Sequence, residues 1–331
     1  MSVKIKFLWI AITGIVFLGA CGGLDDNNFI DADELARMDD EAIRSFLSDN
    51  NITAEKDEDT GIYYTRDVEN PTGEQASSKI CGIYYSASLL GGVTYDEYSA
   101  GDGPSLLMKQ GSQAIVPIGL DFGLSLMKQG ETFTFYVPSQ FAYARFSVSN
   151  LIPANSIIQI EVTVDRVLGE VDILEMETEI IDQFIEDNEL NDLDQNPLEE
   201  VETLPTGVRF KLLEEGSGTA FPDLNQTVFV RYKGTFLDGQ IFDQTVENAT
   251  FQFTYTSQSV ISGFFEGVGK LNEGDKALVI IPSNSAYGEG VRVIPDLLTN
   301  DLISNNIIPG YTASIDPYTI LLFEIELVTI Q

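Results

Sequence analysis

The sequence predicts an α+β protein made of two copies of one unit, each a curved antiparallel sheet wrapped over a short helix and preceded by an amphipathic helix. Three observations lead there. The chain repeats itself: EAIRSFLSDNNI (41–52) parallels EIIDQFIEDNEL (179–190), LLGGVTYD (89–96) parallels FLDGQIFD (236–243), and VPSQFAYA (137–144) parallels IPSNSAYG (281–288). The order is kept, and two long units are too few for a stacked array. The segments 156–167 and 319–330 alternate strictly, with Ile158, Ile160, Val162 and Val164 in one and Leu321, Phe323, Ile325 and Leu327 in the other facing one way. Such alternation marks antiparallel strands with one buried face. Helical spacing is confined to short stretches, and a sheet curved over one short helix is the simplest way to bury these faces.

The elements follow in order. Lys4 and Lys6 precede an apolar run, Phe7 to Ala20, which is too short to cross a bilayer comfortably and has the layout of a secretory signal, residues 1–20. Leu18-Gly19-Ala20-Cys21 resembles the lipobox of bacterial lipoproteins, in which the Cys is acylated and becomes the first residue of the mature chain; the plainer alternative is an ordinary signal peptide that contains a Cys. More than one acyl chain makes such an anchor stable. Residues 21–40 read as an acidic tether, either a solvated spacer or a surface-export signal. The first domain then covers 41–169 with its N-terminal helix. Residues 170–205 form an acidic helix and linker, with Met176, Ile180 and Phe184 recurring at i+4 and Ile181 and Ile185 beside them. The second domain covers 206–331. In it SGFFEGVGKLNEGDK (262–276) reads as a short helix closed by the turn Glu273-Gly274-Asp275.

Composition excludes several functions. The chain carries 52 acidic against 18 basic residues, a net charge of −34. A surface this acidic repels phosphate backbones and anionic headgroups, so nucleic acid is not a partner and a membrane is reached only through the lipid. There is no His, and once Cys21 carries lipid only Cys81 is left. Zinc sites, Ser-His and Cys-His pairs are thereby excluded, and neither metal nor cofactor is expected.

Residues 207–331 resemble an FKBP-type peptidyl-prolyl isomerase domain. The resemblance rests on four motifs in order: VFVRYKGTFLDGQIFD, TFQF, VISGFFEGVGKLNEGDKALVIIPSNSAYGEG and IDPYTILLFEIEL. It implies a proline-binding cup in which Tyr232, Phe242, Asp243, Phe264, Tyr287 and Phe323 are catalytic and Phe251, Val260, Ile261 and Ile315 bind substrate. The floor, Phe264, stands where the family normally has Trp, which keeps a ring and loses an indole N–H. One of Phe251 and Phe253 is expected in the core. The residue types suit the chemistry. Rotation about an Xaa-Pro bond crosses a barrier of about 18–20 kcal/mol because the amide loses resonance on twisting. A dry aromatic cup with one or two hydrogen bonds to the twisted amide lowers it, with no nucleophile or metal needed.

The first copy has drifted. It keeps Tyr85, Asp96 and Tyr143, but Tyr95 replaces the Phe before the acid, Leu120 takes the floor, and Ile160 takes the last-strand Phe, with Ile152 opposite Ile315. IVPIGLDFGL (115–124) reads as one residue longer than its counterpart. The expectation is a retained fold with little activity. The second copy carries an insertion, 289–314: 27 residues separate Tyr287 from Ile315, against 8 between Tyr143 and Ile152. Its many aliphatics are too apolar for disorder. It is expected to hold a short helix near 296–304 and to wall the peptide groove. Two functions are consistent with this: an isomerase acting through the second domain on Xaa-Pro segments of unfolded or partly folded secreted or envelope proteins, or a non-catalytic peptide-binding chaperone. Either would be anchored by lipid in a bacterial envelope, of Gram-negative outer-membrane type, facing the periplasm or the surface.

Overall fold

The computed structural model describes residues 31–147, 151–192, 200–247 and 249–331. The signal run, Cys21, most of the tether and 193–199 of the linker lie outside these. The first unit comprises α1 (Ala32–Asp49), β1 (Glu55–Lys56), β2 (Tyr63–Val68), β3 (Ile80–Leu89), β4 (Thr94–Tyr98), β5 (Leu106–Lys109), β6 (Ile115–Val116), α2 (Ile118–Leu124), β7 (Thr132–Val137) and β8 (Ile158–Leu168). The second comprises α3 (Glu170–Asp187), β9 (Glu202–Thr203), β10 (Arg209–Glu214), β11 (Thr227–Thr235), β12 (Ile241–Gln244), β13 (Phe251–Thr254), α4 (Ser262–Val268), β14 (Lys276–Ile281), β15 (Arg292–Val293), α5 (Thr299–Ser304) and β16 (Leu321–Ile330).

Each unit forms one antiparallel sheet. The first runs β1-β2-β7-β8-β3-β4 with β5 also on β3, and the second runs β12-β11-β16-β14-β10-β9 with β13 also on β11. Alternation did set the faces. Ile158, Ile160, Val162 and Val164 are buried in β8, as are Leu321, Phe323, Ile325 and Leu327 in β16. Against these faces lie α2 and α4, each held close by a glycine. A Cβ on Gly119 would meet Val137 at 2.4 Å and one on Gly263 would meet Ile281 at 2.3 Å. Among the described residues no helix is long and apolar enough to cross a membrane.

The N-terminal helices depart from expectation in two ways. The helix α1 starts at Ala32, so the last part of the expected tether is helical. Its acids pair along the exposed side with Arg37 and Arg44, and Asp39 is buried, accepting hydrogen bonds from the N–H and Oγ–H of Ser139 at 2.8 and 2.6 Å. In α3 the buried row is Ile173, Glu177, Ile181 and Ile185, while Ile180 is exposed. The row was hidden because it contains an acid. Glu177 takes the place of Asp39, accepting from the N–H of Ser283 at 2.9 Å, and burial pushes its carboxyl up, partly offset by those bonds. Each helix is thus fastened to its sheet by one carboxylate capping the turn after β7 or β14.

Candidate active site

The second unit assembles its aromatic positions from five elements. Phe264, on α4, is the floor at 4 % exposure. Its ring lies 5.6 Å from Tyr232 on β11 and 5.2 Å from Phe323 on β16, both nearly perpendicular. Phe242 on β12 meets Phe323 edge-on at 5.5 Å, and Phe251 on β13 meets Tyr232 edge-on at 5.8 Å. Such edge-to-face pairs fix ring orientation beyond what burial supplies. Ile315 is buried, and Val260, Ile261 and Tyr287 are half-buried against the same cluster. Eight of the ten expected residues therefore belong to one cluster, which Phe251 joins through its ring contact with Tyr232 and Asp243 through its hydrogen bond with Tyr232. Of the two rings on β13, Phe253 is in the core and Phe251 is exposed at the rim.

Asp243 is exposed at that rim. It accepts a hydrogen bond from the Tyr232 hydroxyl at 2.5 Å. Burial, and then this bond, push the Tyr232 phenol up, so it stays a donor across neutral pH. Burial also raises Tyr287, with the charge of Asp243 adding to it. Beside Ile261 the backbone N–H has no acceptor among the described residues and is available to a ligand carbonyl.

Sequence reasoning missed three contributors. Gly234, paired with Phe323 across the ladder, leaves room for the rings: a Cβ there would meet Phe242 at 2.7 Å and Phe323 at 3.0 Å. The first unit has Ala87 opposite Ile160 at this place; reading the two copies against each other at this position would have found it. Phe236 backs Phe242 at 5.2 Å. Tyr311, from the insertion, packs on Tyr287 with ring centroids 4.4 Å apart and planes tilted by 31°, and nothing in its local sequence signals that contact.

The first cup has the same frame with other linings. Tyr85 donates to Asp96 at 2.7 Å and the hydroxyls of Tyr95 and Tyr143 share a hydrogen bond at 2.9 Å. Leu120, Ile152 and Ile160 are fully buried. The extra residue expected in 115–124 is absent. Pro117 and Ile261 stand at the same place, one residue before α2 and α4, so Val116 matches Val260. Pro117 has no N–H where Ile261 offers one.

The insertion departs furthest from expectation. A short 3-10 turn and α5 do fall at 296–304, but the body of the segment lies on the first domain. β15 pairs in parallel with β6, with Arg292 N–H donating to Ala114 O and Ile294 N–H to Val116 O, both at 2.8 Å. Val293, Ile294, Leu298, Leu302 and Ile308 are buried in one cluster with Leu120, Tyr143, Ile152 and Ile160. Aliphatic side chains of this size stabilise by about 1.5–3 kcal/mol each on full burial. Only the Tyr311 end returns to the second cup. Covered in this way, Asp96 is pushed up by burial, against the opposing bonds from Tyr85 and the Glu97 amide, and Tyr85, Tyr95 and Tyr143 are raised by burial as well.

The sequence profile of the family described as FKBP-type peptidyl-prolyl cis-trans isomerase matches residues 73–165 and 218–328, more than half of the chain. The chain belongs to this family. Its two matched segments are its two FKBP domains, and its reaction is the cis-trans isomerisation of peptidyl-prolyl bonds, with proline-containing polypeptides as substrates. FK506-binding protein 1 of Candida glabrata is 32% identical over 131 residues, covering 39% of this chain and 98% of that one. FkpA of Escherichia coli K12 is 38% identical over 96 residues, covering 29% and 35%. Macrophage infectivity potentiator of Trypanosoma cruzi is 30% identical over 128 residues, covering 39% and 55%. The match thus spans nearly all of the Candida protein but little more than a third of FkpA. Among solved structures, the three FKBP domains of wheat FKBP73 align over 84% of this chain and 99% of theirs, at 19% identity and a TM-score of 0.33. A peptidyl-prolyl isomerase of Pseudomonas syringae aligns over 45% and 95%, at 32% identity and a TM-score of 0.31.

Proposed function

We propose that turnover resides in the C-terminal FKBP domain and serves the folding of secreted or envelope proteins, with the protein held to a bacterial envelope membrane through Cys21. One observation carries the assignment to that domain: its cup is ringed by Tyr232, Phe242, Phe264 and Phe323 with Asp243 exposed at the rim, whereas the first cup already holds apolar side chains of the chain itself.

The geometry suits bond rotation. A prolyl ring entering the cup leaves water for aromatic surface, and its amide then lacks the solvent that stabilises the planar, charge-separated form. The Ile261 N–H can hold the carbonyl of the twisted peptide, while the Tyr232–Asp243 pair fixes the rim. Only contacts stronger in the twisted state than in either planar isomer lower the barrier. Every group needed is a ring, an aliphatic side chain, a backbone N–H or this one hydrogen-bonded pair.

A protease-coupled assay on a Xaa-Pro peptide, run on the full chain and on a Phe264→Ala variant, tests the assignment. Rate enhancement by the parent, lost in the variant, is the expected result. If the parent leaves the uncatalysed rate unchanged while still binding unfolded proteins, the domains serve as a peptide-holding chaperone instead. The envelope assignment leans on the sequence of the first 21 residues and on the FkpA relatives. Detergent partitioning checks the anchor: the parent should enter the detergent phase, and Cys21→Ala should remain uncleaved or be released into the aqueous phase. A mature parent found in water removes the lipid from this picture.

A further inference from the structure

The first FKBP domain keeps the frame of a cup, and only eight residues separate its Tyr143 from Ile152. The second domain carries a long apolar segment that its own cup does not take. The two meet. The backbone of 292–294 adds as a strand to Ile115–Val116, the wall just before α2; the matching wall before α4, 259–260, has no strand paired to it among the described residues. The side chains that follow bury themselves among the cup residues. Arg292 is nearly buried, fixed by an ion pair to Asp316 at 2.8 Å, and its charge and that of Asp296 act on Tyr85 in the cup.

We propose that the first domain is a peptide-binding module whose ligand is its own chain: the segment 291–308, an extended Val-Arg-Val-Ile-Pro strand followed by a short apolar helix. Strand addition supplies sequence-independent hydrogen bonds, as in the general mode by which sheet edges take extended peptides, and the cup takes the side chains of Val293 and Ile294. The drift of the first cup from rings to Leu120 and Ile160 then matches its ligand, since branched aliphatics pack against aliphatic walls. An intramolecular ligand faces an effective concentration that external peptides rarely match, so the first domain does not take clients while the segment is seated. In this arrangement the domain acts as a clamp: it holds 291–308 away from the second cup and presents Tyr311 to Tyr287 at that cup's edge. The seating itself does not depend on which domain turns over substrate.

The test replaces 291–308 by a Gly-Ser linker in the full chain and adds a synthetic peptide of residues 290–309. The replaced chain should bind that peptide at one site, and the parent at least tenfold more weakly because the site is filled. A scrambled peptide should not bind, and Val116→Glu in the replaced chain should weaken binding at least tenfold. A folded replaced chain that ignores the peptide, or binds it regardless of Val116→Glu, overturns the proposal. Should the replaced chain fail to fold, hydrogen exchange on the intact protein decides. A seated ligand opens locally, so the amides of Arg292 and Ile294 should exchange well before those of the β3–β8 ladder. If they exchange only together with that ladder, the segment is an integral part of the first domain's core and not its ligand.

Discussion

Asp96 and Asp243 sit on equivalent strands, and each accepts a hydrogen bond from the tyrosine opposite, Tyr85 at 2.7 Å and Tyr232 at 2.5 Å. One is half-buried beneath a segment from the other domain and its carboxyl is raised; the other stands exposed at the mouth of an aromatic cup. The same pair of residues on the same frame thus has two environments. What differs is the lining. Rings at 242, 264 and 323, for which Gly234 leaves room, meet edge to face. Tyr95, Leu120 and Ile160, with Ala87 in the glycine's place, leave a softer apolar hollow that a strand of branched aliphatics fills.

The most damaging change on either side is at the floor. Phe264→Ala is expected to cost about 3–5 kcal/mol and Leu120→Ala about 2–5 kcal/mol of stability, both read by urea unfolding. Turnover should separate them, falling more than tenfold in Phe264→Ala and staying near parental in Leu120→Ala at temperatures where both remain folded. Equal losses of turnover would show that both cups work and would end the asymmetry.

At the rim the expected effect is smaller. Asp243→Leu removes a hydrogen bond to a charged group, the kind worth about 1.5–3 kcal/mol, and should lower kcat/KM by about tenfold. Asp96→Leu should leave kcat/KM unchanged. A loss in the second variant with none in the first would place turnover in the wrong cup.

Smaller again is Gly234→Ala. The new methyl must displace Phe242 or Phe323, and overpacking of this kind costs about 1–3 kcal/mol. Because Phe242 is half-buried and can swing outward, a several-fold loss of turnover with little loss of stability is expected. Ala87→Gly, the reciprocal change, should be silent in turnover. An unaffected Gly234→Ala enzyme would mean that the position of Phe242 does not matter to catalysis.

Much of this was legible in the chain. Period-two alternation gave the buried faces of β8 and β16, with ends within two residues, and the repeat matches two sheets of one topology. Six of the ten cup positions lie on strands or on α4, and the other four, Val260, Ile261, Tyr287 and Ile315, lie on the connections between them. What stayed hidden is of another kind. The buried row of α3 escaped because Glu177 interrupts it, and only the cap on Ser283 explains an acid there. The first turns of α1 escaped because their acids resemble a solvated tether until Arg37, Arg44 and Ser139 are placed beside them. The seat of the insertion escaped because an apolar segment announces that it is covered, but not by what. Its partner lies in the other domain, beyond any local pattern.

The smallest expected effect bears most directly on that seat. Burial raises the Asp96 carboxyl, with Tyr85 and Glu97 bonded or charged beside it and Asp296 near enough to feel its charge. A carboxyl whose folded value lies above its unfolded one, about 3.9 for Asp, binds more protons in the folded state across the interval between them. Stability from this group is therefore full below the unfolded value, declines as pH rises through the interval, and stays lower above it. Asp96→Asn keeps an acceptor for Tyr85 and cannot titrate. Relative to the parent, its stability should rise across that interval and level off towards neutral pH. Glu177 and Asp121 are raised by burial too and slope equally in both proteins, whereas Asp296 is raised partly by the charge of Asp96, so the difference between the two curves reports Asp96 together with its coupling to Asp296. The measurement is urea unfolding at a series of pH values from 3 upward. A flat difference curve would mean that Asp96 keeps its water, and hence that the insertion does not cover the first cup in solution.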